Sequence, residues 1–270
     1  MEFTSTTQLS KAGKGLAQRR FTIFASAIIQ NGSEIFQEVY GSPAENESVQ
    51  KLKFRSEYST IRDGVKYSAV LTGPRLDLIV SPQGSVPLGT PTSLDSLASA
   101  SQSNDVLADF AVIPCVPESV RISFFEAAQR TLVSVPDITR LAFGEFFFLS
   151  ATSKLEAYEK LNIQLPDLKL NPVRSSDLFY RINRSREIVL GDKKTTINRL
   201  AEWTAPALTM QIKSNPVDTT TIVAFAAATR TDINTALSPD LSKFGDAELK
   251  SITRMLFEFS AELIEKGDMP

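Results

Sequence analysis

The spacing of hydrophobic residues changes along the chain, and these changes predict its elements. Between residues 117 and 135 apolar residues recur at steps of three and four, as they do on one stripe of a helix. Pro117 and Glu118 are typical of a helix N-terminus, and Pro136 ends the helix. From 138 to 149 bulky strand formers occupy both faces, which predicts a strand that is central to its sheet or layered under a helix.

Shorter alternating segments on either side of this pair predict further strands joined by tight turns. Asn31-Gly32 is a strong hairpin signal between the apolar runs 21–29 and 35–40. Further strands are predicted at 51–58, 65–71, 76–80, 178–182, 188–190, 195–203, 208–212 and 220–229. The segment 154–161 predicts a short helix, and 246–266 predicts a long amphipathic helix with Asp246 as its N-cap.

These elements predict an α+β fold, with a mostly antiparallel sheet or sheets covered by the two long amphipathic helices. The elements come in the order sheet, long helix, sheet, long helix. This order allows the fold to consist of two similar halves.

The composition along the chain divides it into a tail and one domain. Residues 1–20 are polar and carry four cations, so we expect a flexible tail. Residues 21–270 are expected to form a single α+β domain. Within it, the Ser-, Thr-, Pro- and Gly-rich stretch at about 84–104 predicts a mobile loop, and 105–117 is a possible sub-boundary between halves.

The absence of histidine is the most informative feature of the composition. It excludes Ser-His-Asp and Cys-His catalysis, zinc sites built on two histidines and imidazole acid–base chemistry. A catalytic mechanism then has to use carboxylates, lysine, tyrosine, serine or oxygen-bound metal ions. We therefore favour a protein that is not an enzyme, with no cofactor and no metal ion.

Charge and hydropathy set the expected location and partners. Lys and Arg number 29 against 31 Asp and Glu, so the net charge does not indicate a partner that is a polyanion. No signal-peptide segment and no run of about 18 apolar residues is visible, and Cys115 is the single cysteine. We expect a cytoplasmic protein with no membrane partner.

The densest group of cations lies between residues 174 and 199. Its members are candidate ligands for an anionic partner: Arg174, Arg181, Arg184, Arg186, Lys193, Lys194 and Arg199. Phe179 and Tyr180 could stack on bases there. On a strand, Arg181 and Arg184 would point to opposite faces, so the cations need not form one patch. The favoured interpretation is a solvated hairpin whose charges protect a sheet edge.

Three carboxylates are candidates for acid–base chemistry or ion pairing: Glu145, Glu202 and Asp232. Glu145 lies between Phe143 and Phe147 on one face of the predicted central strand, where an unpaired charge would be costly. We expect a structural ion pair with an arginine or lysine of a neighbouring element.

The order of elements also carries a family resemblance. It consists of the helix VRISFFEAAQRTL, the strand that begins Ile-Thr-Arg-Leu, a polar strand pair, the segment Thr-Asp-Ile-Asn at 231–234 and the closing helix. Over about 105–265 this order resembles the sporadically distributed family of uncharacterised prokaryotic proteins. That family has no established activity, so the resemblance implies no catalytic residues.

Together these observations favour a non-enzymatic interaction or assembly protein, as a subunit or accessory component of a larger complex. We expect a protein partner or self-association. The first alternative is a component that contacts nucleic acid through residues 174–199. The second is a histidine-free enzyme based on carboxylates.

Overall fold

The computed structural model describes residues 14–83, 116–175, 177–213, 219–236, 241 and 243–267. The strands are β1 (Lys14–Ala25), β2 (Asn46–Gln50), β3 (Arg55–Arg62), β4 (Val65–Thr72), β5 (Arg75–Pro82), β6 (Ile138–Ala151), β7 (Phe179–Asn183), β8 (Arg186–Leu190), β9 (Lys193–Thr204), β10 (Ala207–Lys213) and β11 (Thr219–Thr235). The helices are α1 (Gly32–Tyr40), α2 (Glu118–Ser134), α3 (Lys154–Gln164) and α4 (Asp246–Lys266), with 3₁₀ turns at Lys51–Lys53 and Pro166–Leu168.

All eleven described strands join one sheet, and every strand pair is antiparallel. The order across the sheet is β2-β3-β4-β5-β1-β6-β11-β9-β7, with β8 also paired to β9 and β10 to β11. The predicted α+β class is confirmed, and so is the central position of β6.

The two halves of the chain follow similar routes through the sheet. In the first half, β1 is followed by α1, and a meander then returns so that β5 pairs with β1. In the second half, β6 is followed by α3, and the later strands return so that β11 pairs with β6. The two halves meet at the centre of the sheet, where β1 and β6 pair antiparallel.

The described helices contact one face of the sheet. Phe257 of α4 stacks on Phe143 of β6 at 3.7 Å between ring centroids, and α2 joins this layer because Phe125 meets Phe257. In the part of the sheet that the second half of the chain forms, Gln164 of α3 accepts a hydrogen bond from Thr229 of β11. From Leu141 to Leu149 the odd-numbered residues of β6 face these helices and are buried, whereas the even-numbered ones in this stretch, including Phe146, face away and are half-buried. We call this second face the open face.

The Asn31-Gly32 hairpin prediction is wrong, because residues 32–40 form helix α1. Asn31 does take the left-handed conformation that such a turn requires, with φ of 60°, but it precedes a helix. Ile35, Phe36 and Val39 are buried, and their spacing places them on one helical stripe. Packing of this stripe against β3 and β4 outweighs the local turn preference.

The predicted tail at 1–20 is wrong for residues 14–20, which belong to β1 between β5 and β6. Two rows of backbone hydrogen bonds and the burial of Leu16 and Phe21 hold this segment in the sheet. Residues 1–13 and the predicted loop at 84–104 lie outside the described residues. Of the sub-boundary 105–117, only Val116 and Pro117 are described, and the Val116 amide donates to the Leu16 carbonyl at 2.8 Å.

The closing helix has the predicted bounds, but its N-cap is Gly245 rather than Asp246. The Glu248 side chain accepts a hydrogen bond from the Gly245 amide at 2.7 Å, which satisfies an N–H that the helix leaves free. The sequence predicts an apolar stripe of Leu249, Ile252, Leu256, Phe259 and Leu263; four of these residues are buried, and Phe259 is half-buried. No described helix is long and apolar enough to cross a bilayer.

Candidate functional site

The open face carries a row of alternating charges at the β7 edge of the sheet. Register places Arg181 of β7 opposite Glu202 of β9, and Glu202 opposite Arg230 of β11. Phe146 of β6 continues the row beside Arg230. Neighbouring strands are about 4.8 Å apart, so these side chains lie within reach of one another.

A second row crosses the centre of the open face. Arg20 of β1 and Asp232 of β11 flank Gly144 of β6, which has no side chain to separate them. Burial lowers the pKa of the Arg20 guanidinium, while the charges of Asp77 and Asp232 oppose this shift and those of Arg75 and Arg230 add to it. Arg20 is therefore a half-buried cation that lies in the field of carboxylates on both sides.

A third group of charged side chains lies on the open face, in the part of the sheet that the first half of the chain forms. Arg75 and Asp77 of β5 form an ion pair at 2.9 Å, and the Thr22 hydroxyl donates to Asp77 at 2.5 Å. The guanidinium groups of Arg75 and Arg140 both lie over the ring of Phe24, at 5.5 and 5.4 Å from its centroid. This arrangement combines cation–π contacts with a fixed carboxylate.

A small cavity of about 120 Å³ opens on the open face, in the part of the sheet that the second half of the chain forms. It is lined by Arg181, Leu200, Ala201, Glu202, Arg230 and Asp232. Asn234 donates to Asp232 at 3.1 Å and accepts from Asn198 at the same distance, so the Asp232 carboxylate is oriented from one side. Two guanidinium groups and two carboxylates suit a partner surface that carries both signs of charge.

The predicted cation group 174–199 is divided by the fold. Arg181 lies on the open face, whereas Arg186 and Arg199 lie on the helix side, where both guanidinium groups approach the ring of Phe259, at 5.4 and 5.1 Å from its centroid. Arg199 also donates to Glu262 at 3.1 Å. Burial lowers the pKa of Arg199; Glu262 opposes this effect, while the charges of Arg186 and Arg184 add to it.

Three of the four remaining cations of the group lie apart from that pair. Lys193 contacts Glu248 of α4 at 2.7 Å, and Lys194 pairs with Glu187 across the β8–β9 hairpin at 3.0 Å. Arg174 is exposed in the turn that follows residue 171. The amide of Arg184 donates to the Arg199 carbonyl at 3.1 Å, so Arg184 stays near the Phe259 group.

This division leads to a prediction for nucleic-acid binding. We expect no strong binding of a random-sequence oligonucleotide at physiological salt, because the seven cations face different directions and four of them pair with carboxylates or an aromatic ring. The measurement is fluorescence anisotropy across a salt series. Submicromolar, salt-sensitive binding that Arg184→Gln/Arg186→Gln abolishes would contradict this expectation, since each lost phosphate contact should reduce the salt slope by roughly one.

Glu145 is part of a buried network on the helix side, 2% exposed. Arg19 of β1 donates to Glu145 Oε1 through Nε at 2.7 Å and through a second nitrogen. Ser260 of α4 donates to Oε2 at 2.7 Å, and Thr231 hydrogen-bonds to Ser260 at 2.6 Å. The predicted structural ion pair with a neighbouring element is confirmed. Both carboxylate oxygens are occupied and buried, so Glu145 is placed to hold elements together rather than to meet a substrate.

Sequence reasoning missed most of the open-face residues. Arg20, Arg75, Arg140 and Arg230 were not among the candidates, because Arg20 was assigned to the polar tail and the other three lie far in sequence from the dense cations at 174–199. The signal that could have found them is the alternation of a strand, because residues two positions apart lie on the same face of the sheet. Cys115 lies outside the described residues. Among the described residues, no cluster of three or more His, Cys, Asp or Glu side chains is placed to hold a metal ion.

The chain matches no protein-family model, and comparisons with curated proteins and with solved structures also give no match. The class defined by the coordinates is therefore an α+β protein with an open antiparallel sheet. The resemblance over residues 105–265 stays a prediction.

Proposed function

We propose that the protein is a non-enzymatic interaction or assembly protein, a subunit or accessory component of a larger complex, which binds a protein partner through the open face. The observation that carries this proposal is the face itself: arginines, carboxylates and aromatic rings share a sheet surface that the described helices do not contact. Arginine and aromatic side chains are enriched among the residues that dominate protein interfaces.

The mixed charge of this face favours a protein partner over nucleic acid. Glu202 lies between Arg181 and Arg230, and Arg20 lies between Asp77 and Asp232. A phosphate backbone would meet the carboxylates as well as the guanidinium groups, and like-charge contacts are costly. A protein surface can place an acidic group at each arginine and a basic group at each carboxylate.

The proposal is tested by Arg181→Gln/Arg230→Gln. Neither guanidinium forms an ion pair with another described residue, so we expect the free energy of unfolding to change little. Binding of the partner should weaken by roughly tenfold or more, because two interface arginines are lost. The matched control is Arg174→Gln/Arg254→Gln, which removes two arginine charges from exposed positions, one in the turn that follows residue 171 and one on helix α4.

The measurement has two stages. Affinity purification with quantitative mass spectrometry identifies proteins that the wild type and the control retain and that the open-face variant loses. Each such protein is then purified and mixed with the three chains, and complex formation is measured by light scattering. If every retained protein binds all three chains equally, the open face is not the interface and the proposal fails.

A further inference from the structure

The corner of the sheet at residues 51–55 presents an unusual surface. This segment, which we call the tip, has the sequence Lys-Leu-Lys-Phe-Arg and joins β2 to β3 through a 3₁₀ turn. Leu52 is 99% exposed and Phe54 is 76% exposed. Large apolar side chains are rarely left in water to this extent beside one another, and such exposure indicates a contact surface.

The backbone fixes the tip in this conformation. The Phe54 amide donates to the Lys51 carbonyl at 3.2 Å, and the Phe54 carbonyl accepts from the Gly73 amide at 3.2 Å. Phe54 itself has φ of 48°, a left-handed conformation that is unfavourable for a bulky residue. The two apolar side chains are thus held outward by an ordered turn, at a cost in backbone strain.

A third apolar side chain lies at the same end of the sheet. Ile28, 65% exposed, precedes Ile29, whose amide donates to the Gly73 carbonyl at 3.2 Å. Gly73 therefore bonds to both segments, through its amide to the tip and through its carbonyl to the loop after β1. The apolar surface extends from the tip toward this neighbouring loop.

Cations alternate with the apolar residues of the tip. The ammonium groups of Lys51 and Lys53 form no hydrogen bond or ion pair with another described residue, and both side chains are exposed. Arg55 lies 3.2 Å from Glu57, whose other oxygen is 2.8 Å from Lys66. The Glu57 carboxylate is thus shared between Arg55 and Lys66, and it is not paired with either lysine of the tip.

We propose that the tip binds the surface of a membrane that contains anionic phospholipids. Leu52 and Phe54 enter the boundary between headgroups and acyl chains, and Lys51 and Lys53 contact lipid phosphates. Apolar side chains flanked by lysines are the combination that interfacial binding requires, because burial and electrostatic attraction act together. We expected no membrane partner because the sequence has no spanning apolar run, but binding at the surface does not need one.

The test is co-sedimentation with vesicles of phosphatidylcholine and phosphatidylserine in a ratio of about three to one, and with vesicles of phosphatidylcholine alone. The wild type should bind the mixed vesicles, less so as salt is raised, and bind the neutral ones weakly. Leu52→Ser/Phe54→Ser should lower the bound fraction by roughly fivefold or more. Lys51→Gln/Lys53→Gln should lower binding to the mixed vesicles and reduce its dependence on salt.

The matched control is Ile163→Ser/Val173→Ser, which removes apolar side chains that are 81% and 91% exposed but lie outside the tip. It should bind as the wild type does. Phe54→Trp adds a direct reporter, because the only native tryptophan, Trp203, is fully buried. Its emission should shift to shorter wavelength on the mixed vesicles as the indole leaves water.

Three results would overturn the assignment. They are no binding of the wild type to mixed vesicles, equal binding to neutral vesicles, and equal losses in the tip and control variants. A tip that serves a protein partner instead would give the first of these results. The open-face proposal would be unaffected, since its variants and its readout are different.

Discussion

Glu145→Ala should destabilise the protein by about 3–5 kcal/mol, because it leaves the Arg19 guanidinium buried without its carboxylate. Arg19 is 4% exposed, and besides its bonds to Glu145 it donates a hydrogen bond to the Arg121 carbonyl at 2.8 Å. Burial already lowers the pKa of Arg19, and the charge of Glu145 is the largest opposing effect. The measurement is the free energy of unfolding from urea denaturation.

Two further variants separate two contributions to the loss of stability, the unpaired buried charge and the lost packing. In Arg19→Met/Glu145→Leu both partners become apolar, and the double variant should recover much of the stability that Glu145→Ala loses. Glu187→Ala breaks an exposed ion pair with Lys194 and should cost about 0–1 kcal/mol. If Glu145→Ala behaved like Glu187→Ala, the network around Glu145 would not hold β1, β6 and α4 together.

The same ion pair shows why part of the site was not predictable. The sequence located the buried carboxylate and its need for a cation, because an acid between two phenylalanines on one strand face is costly. It did not identify Arg19, because the segment before Phe21 was interpreted as a polar tail. Had the alternation of Phe21 and Ile23 been extended back by two residues, Arg19 would have faced the core. This one misinterpretation therefore concealed both the beginning of strand β1 and the ion-pair partner of Glu145.

The fold was predictable where a long segment had one clear period. Helices α2 and α4 have apolar stripes over several turns, and β6 is too apolar on both faces to lie at an edge. Helix α1 was missed because its nine residues give few repeats, so the Asn31-Gly32 signal dominated. Strand order was not predictable, because pairing of β1 with β6 joins residues more than a hundred positions apart.

The open face depended on that long-range pairing. Arg20, Asp232 and Arg181 come from three separate regions of the sequence, and no local spacing brings them together. Register alone places Arg20 and Asp232 on either side of Gly144. Considered one segment at a time, the sequence indicated the dense cations at 174–199 as a candidate binding site. The fold instead distributes these cations between the two faces of the sheet and the β8–β9 hairpin.

Leu256→Ala should lower the free energy of unfolding by about 2–5 kcal/mol, since it removes a fully buried side chain from the layer between α4 and the sheet. Its neighbour Phe257 stacks on Phe143 and meets Phe21, Phe124 and Phe125. Urea denaturation measures the loss, and an unchanged m-value would show that the denatured state is not altered.

Leu52→Ala is the matched control, because it makes the same chemical change at a position that is 99% exposed. It removes almost no buried surface, so its effect on unfolding should stay within about 0.5 kcal/mol. A small loss in both variants would mean that α4 does not pack on the sheet as the structure places it. A large loss in Leu256→Ala alone would establish α4 as the element that closes the core on the helix side.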